Sequence, residues 1–363
     1  MGLIVTRLEL RDFRSYRRFE IEPDPELTIL VGPNAAGKTN VVEALELVTA
    51  GTSFRRPQWS ELIRWGATEA SISLRAEGGG RVLETDLTVG EAGRRVYRVN
   101  GKTRRRISEV AGIVPCVSFT PDDLRMVKDS ADRRRAAIDA VGDQLSPAYL
   151  VARMEYERIV RQRNALLKDA SHDAEVLDAL TERLVVQGVA FMGHRHRLFD
   201  RVASKTSEVY ETLAKNERLS ATYVPSWNRG DGVGTEGGPA DSMRAALKRV
   251  QAEEKARGLT LVGPHRDEVV FRVNDREARA YGSQGQLRTI ALAWKLAEVA
   301  VVTEIAGQAP VLLLDDVMSE LDETRRHTLT SFVGGAAQTF MTTTNLGYFE
   351  KELVSRAKVV QIP

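Results

Sequence analysis

A single cysteine in 363 residues excludes intrachain disulfides and any Cys-x-x-Cys zinc hook. Cys116 lies in the apolar run Ile113–Phe119 and reads as a small buried core residue. The five histidines are scattered, so no zinc constellation can be assembled from them. No apolar stretch approaches the roughly 20 residues that span a bilayer, and neither a signal peptide nor an anchor is evident. Met1–Thr6 fits a myristoylation pattern but continues into Arg7–Arg11 with strand alternation, so an ordinary first strand is expected. These absences predict a cytoplasmic protein with no membrane partner. Charge of one sign is also lacking. The net charge is +2, so any nucleic-acid surface must come from local clusters. Aromatic residues make up 6% and form no stripe interleaved with basic ones, which favours backbone contact over base stacking.

Two short stretches carry the chemistry that is present. Gly32-Pro33-Asn34-Ala35-Ala36-Gly37-Lys38-Thr39 fits G-x-x-x-x-G-K-[ST]. It follows the apolar run Leu27–Val31 and opens the helix-like run Asn40–Val48, the strand–loop–helix context that this mechanism needs. Glycines let backbone N–H groups curl around phosphates, and the helix N-terminus supplies partial positive charge. Lys38 is then placed for the β- and γ-phosphates and Thr39 for Mg²⁺. The second stretch is Val311–Asp316, a buried strand tipped by two carboxylates. Together they predict ATP bound with Mg²⁺, with Asp315 serving the metal and Asp316 polarising an attacking water. Asp is one methylene shorter than the usual Glu, so slow hydrolysis is expected.

Along the chain, the first third is β-rich. Candidate strands are Leu3–Leu10, Arg18–Ile21, Leu27–Val31, Ala70–Ala76, Val82–Val89 and Arg95–Val99, with a hairpin turn at Asn100-Gly101. From Asp129 to about Lys215 the pattern is charged and helical in period. The glycine-rich segment 228–238 reads as a flexible surface loop. A helix from about Asp241 to Arg257 leads to short strands at Leu259–Val262 and Glu268–Val273. A helix over Gln286–Ile305, the strand Val311–Leu314, a helix from Glu323 and a strand over Gln338–Thr343 close the pattern. Both ATP-site stretches must meet at one nucleotide, so the helices between them read as an insertion. The expected division is 1–125 with 257–363 as the ATPase domain and 126–256 as a helical arm.

Tyr281–Arg288 holds a Ser-x-Gly-Gln loop that opens a long helix, a second anion-binding tip or a plain N-cap. A second phosphate-binding tip suggests a nucleotide sandwiched between two subunits. Ser319–Asp322 either caps the next helix or lines a dimer seam.

The order of these motifs resembles the SMC-like branch of the ABC-type ATPases, and within it the RecF-like DNA replication and recombinational repair proteins. Leu8–Tyr16, Gly32–Thr39, Phe119–Leu124, Arg133–Arg135, Leu261–Asp267, Ser283–Arg288 and Leu312–Asp322 carry the resemblance, which covers nearly the whole chain. It implies an α/β fold: an ABC-type P-loop ATPase head with an antiparallel β lobe and a helical inserted domain. It also implies an ATP-dependent homodimer that clamps DNA at gaps or single/double-strand junctions. RecO- and RecR-like partners and RecA loading come with it, as does a weak, DNA-stimulated ATPase. Ser283, Gly285 and Gln286 would reach the partner's γ-phosphate, and Arg14 beside Ser15 matches a phosphate-contacting arginine loop. Phe340–Asn345 has no switch histidine, leaving Thr343 or Thr344 as the candidate substitute, and no Q-loop glutamine precedes Phe119.

Candidate DNA contacts are Arg55 and Arg56, then Arg104, Arg105 and Arg106, then Arg133, Arg134 and Arg135. His265 and Arg266 lie in a Gly-Pro turn facing ATP or DNA. Two other readings stand beside the clamp. One is a transporter's cytoplasmic ATPase subunit, which predicts a membrane coupling surface. The other is a DNA-binding scaffold that binds ATP and barely hydrolyses it.

Overall fold

Alternating apolar residues in Ile4–Phe13 (β1) place Val5, Leu8, Leu10 and Phe13 in the core, with an irregularity between Val5 and Arg7 resetting the face. The computed structural model describes residues 2–169, 173–228, 237–333 and 337–363, and the chain divides into two compact units. The first is Met1–Arg125, Asp143–Leu145 and Lys295–Pro363; the second is Met126–Gly142 and Ser146–Trp294.

In the first unit, β1 is joined by β2 (Tyr16–Ile21) in an antiparallel hairpin. Leu27–Val31 (β3) follows, buried along its whole length, and Lys38–Thr49 (α1) is buried nearly all round. β4 (Glu69–Gly78), β5 (Arg81–Gly90), β6 (Arg95–Val99) and β7 (Lys102–Arg104) complete a six-stranded antiparallel sheet of order β2-β1-β4-β5-β6-β7. Asn100 and Gly101, both at positive φ, turn β6 into β7, as the Asn-Gly pair requires. β8 is Cys116–Phe119.

The second unit holds the first part of α2 (Ala131–Leu145), then α3 (Pro147–Lys168) and α4 (Ala174–Leu213). β9 (Leu219–Val224), α5 (Pro239–Arg257), β10 (Glu268–Val273), β11 (Arg276–Glu277) and α6 (Ala278–Tyr281) follow. Its core gathers Tyr156, Phe191, Phe199, Phe271 and Trp294. The three-stranded sheet runs β11-β10-β9. Residues 257–294 were expected with the ATPase domain, but they pack in this unit because β10 pairs with β9 along six residues of each strand. The expected strand Leu259–Val262 does not form. Thr260 N–H donates to Asn164, Leu261 N–H to Glu254 and Gly263 N–H to Ser226, so side chains satisfy the donors a ladder would use. Most of the expected surface loop 228–238 lies outside the described residues.

α7 (Gln284–Ala306) gives its first half to the second unit and its second half to the first. The first unit then adds β12 (Val311–Asp315), the short α8 (Val317–Glu320), α9 (Glu323–Val333), β13 (Thr339–Thr343), α10 (Lys351–Arg356) and β14 (Lys358–Gln361). These form a parallel sheet of order β14-β3-β13-β12-β8. Its central strands β3, β13 and β12 are buried on both faces, the pattern of a covered parallel sheet. One core joins α1 to residues of both sheets: Leu45 and Val48 with Leu10, Leu74, Leu313 and Phe340. Among the described residues no helix is long and apolar enough to cross a membrane.

Candidate functional site

β3 delivers the chain to Gly32 at the end of the parallel sheet. Ile362 N–H donates to Val31 O over 2.7 Å, and a Cβ on Gly32 would stand 2.3 Å from Ile362 O. Glycine is therefore needed there for packing before any ligand is considered. Ala35 (φ 66°) and Gly37 (φ 102°) then turn the loop into α1. Lys38 folds back over the loop, its ammonium donating to Gly32 O at 2.8 Å and Pro33 O at 2.7 Å. Pro33, Asn34 and Ala35 are exposed or lie at the site's mouth, whereas Lys38 is buried.

β12 ends beside this loop because its neighbour β13 pairs with β3 on the other side. Asp315 Oδ1 accepts from Thr39 Oγ1 at 2.9 Å and from Thr342 Oγ1 at 2.8 Å. The Thr342 hydroxyl also accepts the Asp316 backbone N–H at 2.9 Å. Asp316 sits in the left-handed region (φ 51°), a conformation costing about 1–2 kcal/mol for a residue with a Cβ. Burial holds the Asp315 carboxyl above the usual carboxylate range, partly offset by its two hydroxyl donors. Burial and then the neighbouring Asp315 charge raise Asp316 likewise. Its Oδ1 is buried without a hydrogen-bond partner.

A cation fits this arrangement. Two adjacent carboxylates are raised by burial, and one of their oxygens is orphaned. Among the described residues no group of three or more His, Cys, Asp or Glu could hold a metal unaided. A single hydroxyl and carboxylate, Thr39 and Asp315, suit Mg²⁺, which keeps several waters and takes substrate phosphate oxygens.

The β1–β2 turn closes on the loop from the other side. Asn40 donates to Ser15 Oγ at 3.0 Å, and Tyr16 packs under Gly37 with its hydroxyl buried, unpartnered and pushed up to about 12 by burial. Arg14 grips Glu43 through Nε (2.9 Å) and Nη2 (2.8 Å). Arg55 donates to Glu43 at 3.2 Å and to Asn40 at 2.8 Å, and Ser53 donates to Glu43 at 2.7 Å. Glu43 is wholly buried and holds both arginines beside the phosphate loop. The only sequence signal for it was an acid inside an apolar helix. Arg55, expected at DNA, stands here instead.

In the second unit Ser283 and Gln286 cap α7 reciprocally. Ser283 N–H donates to Gln286 Oε1 at 2.8 Å, and Ser283 Oγ accepts Gln286 N–H at 3.2 Å. Gln286 Nε2 also donates to Glu217 at 2.8 Å, and Gly285 O accepts from Thr289. Ser283 itself is exposed.

Other expectations are corrected. Thr343 exchanges hydrogen bonds with Asn345 and Thr344 is exposed, so the threonine at the carboxylates is Thr342. Arg134 and Arg135 are buried: Arg134 donates to the carbonyls of Met126, Val127 and Asp129 and pairs with Glu268, and Arg135 binds Asp267 O and Asp132. They hold a helix start together and do not face DNA; Arg133 pairs with Asp129 at 2.9 Å. His265 is likewise internal to its unit, 2.6 Å from Tyr156 Oη and 3.0 Å from Thr260 O. The carbonyl can only accept, so Nε2 carries the proton, and burial lowers the ring to about 4. Arg56, Arg105 and Arg106 remain exposed, while Arg104 is half-buried with Nε unpartnered.

The family model for the RecF/RecN/SMC N terminal domain matches residues 4–361. The chain is 36% identical to the DNA replication and repair protein RecF of Halalkalibacterium halodurans, covering 99% of this chain and 97% of that one. Identity is also 36% to the RecF of Gloeobacter violaceus, with 99% and 97% covered. Among solved structures, the recombination mediator protein RecF-ATP in the RecFOR pathway is similar with a TM-score of 0.87 and 28% identity, over 96% of this chain and 94% of that one. An SMC head bound to the C-winged helix domain of ScpA shares the fold at 17% identity and a TM-score of 0.54, with 99% and 93% covered. With the phosphate loop, the carboxylate pair and the six-stranded lobe in place, these matches settle the lineage: the chain belongs to the RecF family, an SMC-like branch of the ATP-binding P-loop proteins.

Proposed function

We propose that this chain is a DNA replication and repair protein that binds ATP, dimerises on it and clamps DNA beside single-strand gaps. Slow hydrolysis then resets the clamp, and RecO- and RecR-like proteins work with it to place RecA. The observation that carries the reading is the convergence of the Thr39 and Thr342 hydroxyls on one carboxylate oxygen of Asp315, beside a lysine cradled by the loop. The relatives named as DNA replication and repair proteins and the related structure named with ATP support it over a transporter subunit.

Within the site, Lys38 exchanges its two loop carbonyls for phosphate oxygens, and the N-terminus of α1 adds its dipole. Mg²⁺, when bound, neutralises phosphate charge and holds the substrate oxygens in place. Thr39 and Asp315 would hold it. Thr342 keeps the Asp315 carboxylate turned toward Thr39 and fixes the backbone from which Asp316 projects. Asp316 orients the water, and its elevated proton affinity suits a group that accepts a proton. Ser283, Gly285 and Gln286 present an exposed helix start to the second protomer's nucleotide. Lys38 and Asp316 serve as the catalytic pair. Arg105 and Arg106, exposed after the Asn100-Gly101 turn, are proposed to meet DNA phosphates.

A mobility-shift titration against gapped, single-stranded and duplex DNA, with and without ATP, tests the reading. ATP-dependent binding that favours the gapped substrate is expected; binding indifferent to ATP on all three defeats it. Phosphate release measured with and without DNA separates the clamp from a scaffold that does not turn over.

A further inference from the structure

Trp65 is 97% exposed, far beyond any other large apolar side chain among the described residues. Its position is nonetheless fixed. Arg64 N–H donates to Asp12 O at 2.7 Å, Arg64 Nε reaches the Asp12 carboxylate at 2.7 Å, and Arg14 N–H donates to Leu62 O at 2.8 Å. Phe13 and Ile63 form a bridge between those bonds, and Ala67 N–H closes the turn on Arg64 O at 2.9 Å, with Gly66 at φ 82°. The indole therefore stands on a short segment clamped to the tip of the β1–β2 hairpin. That tip is the one that closes on the phosphate loop through Ser15 and Asn40.

Its surroundings select the partner. Arg14, Arg17 and Arg18 lie on the hairpin tip, Arg64 beside the ring in sequence and Arg56 on the loop before it. Among the described residues, no ion pair engages Arg17 or Arg56, and both are exposed. Among the described residues of the first 81, Trp65 is the only exposed large apolar side chain. A protein partner is served better by several exposed apolar side chains than by one. A lone flat ring among guanidinium groups suits unpaired bases on a phosphate backbone. We propose that Trp65 is a base-stacking contact for single-stranded DNA, mounted on the hairpin that touches the ATP loop. This rests on the DNA-binding function proposed above. It explains why a linear scan for interleaved aromatics finds nothing: the arginines come from the hairpin, and the ring from a segment some fifty residues later in the chain.

The test uses the full chain with ATP and Mg²⁺, titrated with oligothymidylate and with a blunt duplex. Trp59 lies under Arg95, and Trp227 and Trp294 are buried, so Trp65 dominates the quenchable fluorescence. Oligothymidylate is expected to quench the wild type. Trp65→Phe should abolish most of the quench while keeping affinity within about threefold, and Trp65→Ala should weaken oligothymidylate binding about tenfold or more with duplex affinity unchanged. Unaltered oligothymidylate affinity in Trp65→Ala, or equal loss on both DNAs, overturns the assignment. A wild type that binds neither DNA overturns the broader function instead, which keeps the two failures distinct.

Discussion

Thr342 donates its hydroxyl proton to Asp315 over 2.8 Å while the same oxygen accepts the next residue's backbone N–H over 2.9 Å. One hydroxyl thus aims the Asp315 carboxylate and anchors the strained residue that follows it. Thr342→Val keeps the shape and removes both bonds. Phosphate release is expected to fall about tenfold or more, with nucleotide affinity changed by about threefold at most. Single-turnover hydrolysis beside fluorescent-nucleotide binding checks this; an equal loss in both would make Thr342 a binding residue only.

Lys38→Met removes the ammonium that two loop carbonyls hold ready. Losing a charge-assisted contact of about 1.5–3 kcal/mol should weaken nucleotide binding by about tenfold to a hundredfold, and ATP-dependent DNA binding should vanish. Ser283→Arg, in contrast, places bulk on an exposed helix start and should spare ATP binding while preventing dimerisation. Light scattering with ATP checks it, and a dimer of unchanged mass would count against the sandwich.

Glu43 has no exposed surface and accepts from Arg14, Arg55 and Ser53. Glu43→Ala strands two guanidinium groups. Breaking a buried pair costs about 3–5 kcal/mol, and the lower end is expected because the Arg14 side chain keeps 18% of its exposure. Urea unfolding monitors it; a midpoint unchanged from wild type would refute the anchoring role.

Glu46, one turn further along α1, is pushed up to about 7, chiefly by burial, despite donors from Ser118 and Phe54. The folded state therefore binds its proton more tightly than the unfolded state does. Stability from this group is full below about pH 4.5 and is lost as pH rises to about 7, by on the order of 3 kcal/mol. His265, lowered to about 4, acts in the opposite sense: its neutral form is buried, and stability is lost as pH falls from about 6.5 to 4. Glu46→Gln should flatten the loss between pH 5 and 8, measured by urea titration across that range. A slope equal to the wild type's would exclude Glu46 as its source.

Much of the first unit was legible because its signals are local. The Asn-Gly turn, the apolar run Leu27–Val31 and the glycine loop each specify their own geometry, and β3 and β6 form over the expected residues, as β10 does in the second unit. β9 and β14 were missed, since short strands with mixed faces are defined by their neighbours. Burial of Arg134 and Arg135 was not legible either. A triple-arginine run looks solvated until Met126, Val127, Asp129 and Asp267 offer carbonyls to it. Thr342 was missed in favour of its neighbours because strand parity, not composition, decides which of three threonines meets the carboxylates.

β14 lies against β3, with Ile362 braced on Gly32 and Val31. A ribosome must therefore release residues 339–343 before the strand that carries the nucleotide loop has a parallel neighbour, and residue 362 before that loop is walled in.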